Sequence, residues 1–152
     1  DPAQGLAYLA DAGIRVSKVQ LSAALETDAA DVDALAPFAD SVYLHPARLR
    51  GPNEERTDWP DLPEALQDIA SGPRAGVMRT HVHVPLFWEG AGPLRSTASG
   101  LSRNFFARLK LGATEHAEIE TYTFTVLPAA LRADTVVESL AREYAWVLER
   151  LT

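Results

Sequence analysis

Segments patterned for strands alternate with segments patterned for helices along the whole chain, and no Asn-Gly or Asp-Gly pair joins two strand-like runs. Antiparallel neighbours can be joined by a two-residue turn, whereas parallel neighbours need a long crossover, usually a helix. The alternation therefore predicts βα units and a parallel sheet. Strand-like runs cover 14–22, 75–87 and 116–128, with 41–45 as a shorter candidate. Between them, Asp1 caps a first helix with Pro2 in its first turn and Gly13 as terminator. Further helices are expected over 28–38, after Asp61 with Pro63 in the first turn, near Thr97–Leu111 before Gly112, and over Asp134–Leu151. The last is read as amphipathic, with Val136, Val137, Leu140, Ala141, Tyr144, Val147, Leu148 and Leu151 as its apolar positions. Residues 46–60 read as a polar loop leading through Trp59, and 89–93 as a Gly/Pro loop.

A (β/α)8 barrel takes about 250 residues for eight such units, and this chain has 152. The expected fold is thus α/β, the C-terminal half of a (β/α)8 TIM barrel, as a single partial domain over 1–152. A chain that opens at a helix cap without an initiating methionine reads like a piece of something longer. Half a barrel leaves two unpaired sheet edges, so the expected partner is a second copy or the missing N-terminal half of the same chain.

Composition narrows the function classes. Hydrophobic residues at 47% and charged residues at 23% fit a globular domain with a real core. Cysteine is absent, which excludes disulfides, thiolate zinc sites and a cysteine nucleophile, and suits the cytoplasm. A net charge of −7 argues against nucleic acid, which needs a basic face. No apolar run reaches the roughly 18–20 residues of a membrane span, so no membrane insertion is expected. Only Lys18 and Lys110 are lysines among the fourteen basic residues, so scattered arginines carry little functional weight.

Side chains in a strand alternate between faces. In 14–22, Val19 and Leu21 share one face and Lys18 and Gln20 the other. In 80–84, Val82 and Val84 oppose His81 and His83. In 117–124, Ala117, Ile119, Thr121 and Thr123 oppose Glu118, Glu120 and Tyr122. Buried parallel strands normally read as nearly continuous Val, Ile and Leu. Three polar faces near strand C-terminal ends, where α/β folds place their sites, point to one shared pocket. The alternatives are a core histidine satisfied by hydrogen bonds, a solvated edge strand for Glu118 and Glu120, and a Lys18 that snorkels to water.

Imidazole and carboxylate together suit divalent Mn, Co, Zn or Fe. A glutamate outside the metal shell can move a proton between carbons, as in an aldose–ketose or epimerase reaction. Lys18 is cast to hold an enediolate oxygen or a phosphate. His81-Val82-His83 also matches the paired histidines of amidohydrolase barrels, but only His116 follows as a further histidine, so that reading is incomplete. Glycine-rich phosphate loops and a G-x-S-x-G elbow are absent. Arg48, Arg50, Arg56 and Trp59 lie in the 46–60 loop, read as a substrate-binding lid or as a solvated connection. Arg142, Glu143, Glu149 and Arg150 on the final helix are read as solvated.

The runs "RVSKVQLSAAL", "YLHPARLRG", "WPDLPEAL", "THVHVPLF", "LRSTASGL" and "IETYTFTVLP" together resemble the C-terminal part of the EboE-type metabolite-traffic proteins. Those belong to the xylose isomerase-like TIM-barrel superfamily of sugar phosphate isomerases and epimerases. The resemblance runs from about residue 1 to 150 and is more specific for the family than for a reaction. It implies an isomerase- or epimerase-like protein acting on a small polar metabolite, metal-dependent or ancestrally so, with a divalent ion as the expected cofactor. His83 and Glu120 are the metal candidates, Lys18, His81 and Glu118 the catalytic ones, and Gln20, Tyr122 and Arg50 the substrate-binding ones. Gln20 stands roughly where related epimerases place a ligand histidine. That departure supports the alternative, a barrel that binds or hands on a metabolite without turning it over.

Overall fold

The structure, a computed structural model, describes residues 1–72, 74–120, 124, 127, 128 and 135–152. In chain order the elements are α1 (Pro2–Asp11), β1 (Val19–Leu21), β2 (Leu25–Asp28), a 3-10 helix (Ala29–Phe38), β3 (Ala47–Arg50), β4 (Arg56–Trp59), α2 (Leu62–Ser71) and β5 (Val77–Thr80). A short pair follows, β6 (Gly90–Ala91) and β7 (Leu94–Ser96), then a 3-10 turn (Thr97–Gly100), α3 (Arg103–Lys110), β8 (Ala117–Ile119) and α4 (Val136–Leu151).

The parallel half-barrel is not the fold. Among the described residues, six strands form an antiparallel sheet in the order β4-β3-β5-β2-β7-β6, and only β1 and β8 pair in parallel, as a separate two-stranded sheet. The antiparallel sheet carries no Asn-Gly or Asp-Gly signal for two reasons. The β6–β7 turn is Gly92-Pro93, with Gly92 at φ +58°. Gly with positive φ followed by the fixed negative φ of proline is the sign pattern of a tight hairpin turn, made without Asn or Asp. The second is that β3 and β4 lie inside the stretch read as a polar loop, because half of their residues are charged. Their charges alternate strictly with buried Ala47, Leu49 and Trp59, leaving Arg48, Arg50, Arg56 and Asp58 outside. That period of two marks a sheet with one dry and one wet face.

The dry face is built from Leu25 and Thr27 of β2, Ala47 and Leu49 of β3, Trp59 of β4, and Met78 and Thr80 of β5. It packs under Val32, Leu35 and Phe38 of the 3-10 helix and Leu62, Ala65 and Ile69 of α2. On the wet face Arg79 and Arg95 both bond Glu26, and Arg95 also reaches Asp28.

Several local expectations hold. Asp1 caps α1 through Ala3 N–H, and Asp61 caps α2 with Pro63 in its first turn. Gly13 and Gly112 take the positive φ of helix terminators. The 28–38 segment is helical but wound as 3-10 around Pro37. The 41–45 candidate is not a strand, and the helix expected over 97–111 divides at Leu101, with Ser96 and Ser102 as the two caps. The strand expected over 75–87 ends at Thr80. That expected over 116–128 is strand over Ala117–Ile119, its remainder lying largely outside the described residues.

The final helix is present as α4, capped by a reciprocal Thr135–Glu138 box. Its buried stripe, however, is Ser139, Glu143 and Val147, while Val137, Tyr144 and Leu148 are exposed. α4 packs against α3 and β8, and Trp146 meets Phe106 edge-on, with ring centroids 5.9 Å apart.

Candidate acid–base site

Two strand ends and one helix bring the polar residues together. β1 and β8 run in parallel with Val19 beside Ala117 and Leu21 beside Ile119, and Glu120 N–H donates to Leu21 O at 3.1 Å. The ladder thereby carries Ser22 and Glu120 side by side past the strand ends. The chain leaving β5 is pinned by His81 N–H on Pro46 O and Val84 N–H on Ala23 O. Val82 and Val84 are buried on one side, so the two histidines are offered to the β1–β8 end. α4 closes the far side with Glu143.

The side chains alternate imidazole and carboxylate. His81 Nε2 lies 3.6 Å from Glu120 Oε1, and His83 Nδ1 lies 3.9 Å from Glu120 Oε2. His83 Nε2 lies 3.2 Å from Glu143 Oε2, the same oxygen that accepts Leu86 N–H at 2.9 Å. The order runs from solvent inward: the side chains are 47% exposed at His81, 10% at Glu120, and 4% at both His83 and Glu143. Ser22 Oγ sits 3.1 Å from His83 Nδ1 and also bonds Glu120, and its single proton serves one of them at a time.

The electrostatics follow from this order. Burial pushes the Glu120 carboxyl up, but hydrogen bonds from His81 and Ser22 and the nearby imidazole charges outweigh it and hold the group below its ordinary range. The Glu120 carboxylate raises the His81 imidazole above its ordinary value against the opposing effect of partial burial. Between His83, Glu120, Leu127, Ser139 and Glu143 lies a cavity of about 10 Å³, room for about one water. A larger groove of about 590 Å³, between α3 and α4 at Arg103, Phe106, Lys110 and Arg150, shares no residue with the cluster.

Of the residues singled out from sequence, His81, His83 and Glu120 meet here. Lys18 and Glu118 find each other, at 2.9 Å, but as a half-exposed surface pair. Gln20 is exposed beside them, opposite Glu118 in the parallel register. Arg50 lies on the wet face of β3, 3.9 Å from Glu54, opposite Val77 at the end of β5 remote from His81. Tyr122 lies outside the described residues.

Two members of the cluster were missed. Ser22 continues the Lys18–Gln20 alternation by one step, so its face was readable. Glu143, expected to be solvated, is 3% exposed. It falls between Leu140 and Val147 at helical spacing, and a carboxylate on that stripe was the available signal.

A divalent ion needs several donors converging on one point. Among the described residues no three His, Asp or Glu side chains do so. His83 Nδ1 faces the Ser22 hydroxyl at 3.1 Å, and Nε2 faces Glu143 Oε2 at ion-pair distance, 3.2 Å. No family model, curated protein or solved structure matches this chain. Among the described residues no helix is long and apolar enough to cross a membrane.

Proposed function

We propose that this chain carries an acid–base site that moves a proton on a small polar metabolite, in the manner of an isomerase or epimerase. The observation that carries the reading is the order His81–Glu120–His83–Glu143, a chain of titratable groups with its exposed end at His81 and its buried end on α4. Glu120, ionised and only 10% exposed, is the base; His81, half in solvent, takes the proton onward and returns it to the substrate as acid. Ser22 bonds one end of the His83 ring and Glu143 stands 3.2 Å from the other. Removal of a proton from the carbon next to a carbonyl, followed by its return to the same or the neighbouring carbon, is the reaction such a pair performs.

A second reading, binding or hand-over of the metabolite without turnover, is favoured by one observation. Lys18, cast to hold an anionic oxygen, is paired with Glu118 on the surface rather than turned to the cluster. One experiment separates the two. The protein is incubated in D2O with a panel of aldoses, ketoses and their phosphates, and carbon-bound deuterium is read by NMR alongside saturation-transfer binding. Deuterium wash-in that falls about 10²–10⁴-fold in Glu120→Gln supports proton transfer. Binding without wash-in supports the hand-over reading, and neither binding nor wash-in overturns both.

A further inference from the structure

Beneath the cluster lies a second histidine–carboxylate pair that the proton-transfer scheme does not use. His45 is completely buried, and each of its ring nitrogens faces an acceptor. Nδ1 is 3.1 Å from the carbonyl oxygen of His81, and Nε2 is 2.5 Å from Asp40 Oδ2. The other Asp40 oxygen accepts the N–H groups of Val42 at 2.6 Å and Tyr43 at 3.1 Å. With His45 Nε2–H donating to Oδ2, the carboxyl group receives donors on both oxygens, as an ionised one does. Although its partial burial pushes the carboxyl up, these bonds hold it below its ordinary range.

We infer that Asp40 and His45 form a positioning pair for His81, in which the His45 ring carries both of its protons. The reasoning is hydrogen-bond accounting. A neutral imidazole has one N–H and one lone pair. At His45 that lone pair would face either a carbonyl oxygen or a carboxylate oxygen, in a place no water reaches. The doubly protonated ring satisfies both acceptors, and its charge is balanced by Asp40 at contact distance. Among the described residues, the other charged or titratable groups facing His45 are Asp61, which takes its backbone N–H at 2.8 Å, and His81 itself.

The surrounding bonds make the pair a clamp on one peptide. Thr80 Oγ1 donates to His45 O, and His81 N–H donates to Pro46 O, so residues 45–46 and 80–81 are stitched together. His81 is thus held at its N–H by Pro46 and at its C=O by His45. With the backbone fixed at both groups, its side chain starts from one place, 3.6 Å from Glu120. His45 touches neither substrate nor proton path, so it is a positioning residue. Its role for His81 rests on the acid–base reading given above.

Nitrogen-15 NMR of the histidine rings at neutral pH tests the protonation, with His45→Gln supplying the assignment. Two N–H-type nitrogens at His45 are expected; one nitrogen of the lone-pair type would overturn the inference. In Asp40→Asn the amide can donate to Nε2, so one His45 nitrogen should turn to the lone-pair type, and an unchanged ring would count against the pair. For positioning, His45→Gln should weaken the cross-relaxation between the His81 ring and the Glu120 methylenes. It should also lower kcat for wash-in roughly 10- to 100-fold at unchanged KM. If His45→Gln does not fold, Asp40→Asn carries the same two readouts. Unchanged His81 contacts in a folded variant would overturn the positioning role. A wild-type protein without any wash-in would sink the acid–base reading, while the ring nitrogens and the His81–Glu120 contacts would still decide the pair.

Discussion

Charge is handled in opposite ways on the two sheets. On the wet face of the six-stranded sheet, Arg79 and Arg95 share Glu26, Arg48 meets Asp58, and every partner but Glu26 stands about half in solvent. Behind β1 and β8, two carboxylates meet two imidazoles, and three of the four side chains are at most 10% exposed. Surface pairs gain little because water solvates their parts nearly as well. Groups taken out of water must be paired or they destabilise the fold. The first set of charges is therefore replaceable, whereas the second must be kept complete.

The sharpest way to break that contrast is at α4. Glu143→Ala leaves the His83 ring facing an empty buried position and frees Leu86 N–H, so it should cost about 3–5 kcal/mol in urea unfolding. A loss below 1 kcal/mol would show that the inner end of the chain is as replaceable as the outer sheet face. Next, within β3, Leu49→Ala should cost about 2–5 kcal/mol, while its neighbour Arg48→Ala should stay within about 1 kcal/mol. The pair of measurements tests the alternation of dry and wet positions. Equal losses would mean that β3 is not an amphipathic strand.

The pH dependence sharpens the same comparison. Glu120 is held below its ordinary value of 4.5, so its contribution is present above that value and is lost as pH falls through the lower folded-state value. His81 is raised above its ordinary 6.5, so its contribution is complete below 6.5 and fades as pH rises through the higher folded-state value. Together they should place a stability maximum between about pH 4.5 and 6.5 that Glu120→Gln flattens. Thermal melts across pH check this. The smallest effect is expected from Lys18→Ala, within about 1 kcal/mol and without change in deuterium wash-in, because the Lys18–Glu118 pair is half exposed.

Local features were readable in the sequence because local chemistry decides them. The caps at Asp1 and Asp61, the terminators Gly13 and Gly112 and the final helix all rest on bonds within a few residues. Sheet pairing was not readable in the same way. "ARLR" and "RTDW" carry as many charges as a loop, and only the partner strand and the helices beneath show that Leu49 and Trp59 face inward. The absence of Asn-Gly and Asp-Gly misled because Gly92-Pro93 makes the same turn. Of the candidate site, His81, His83 and Glu120 were readable as polar residues on one face of a strand pattern. Glu143 was not, since a glutamate on a helix is usually solvated. His45 reaches the site through the carbonyl of His81, 36 residues away, and nothing in the local sequence of His45 and Asp40 signals that contact.

The central claim is that His81 and Glu120 are a coupled acid–base pair at the open end of a buried chain. NMR titration of the His81 ring in the wild type and in Glu120→Gln tests it without a substrate. A midpoint raised above that of a free histidine, falling back when Glu120 becomes Gln, is the expected result. A midpoint at the ordinary value in both proteins would contradict the pairing and the site built on it.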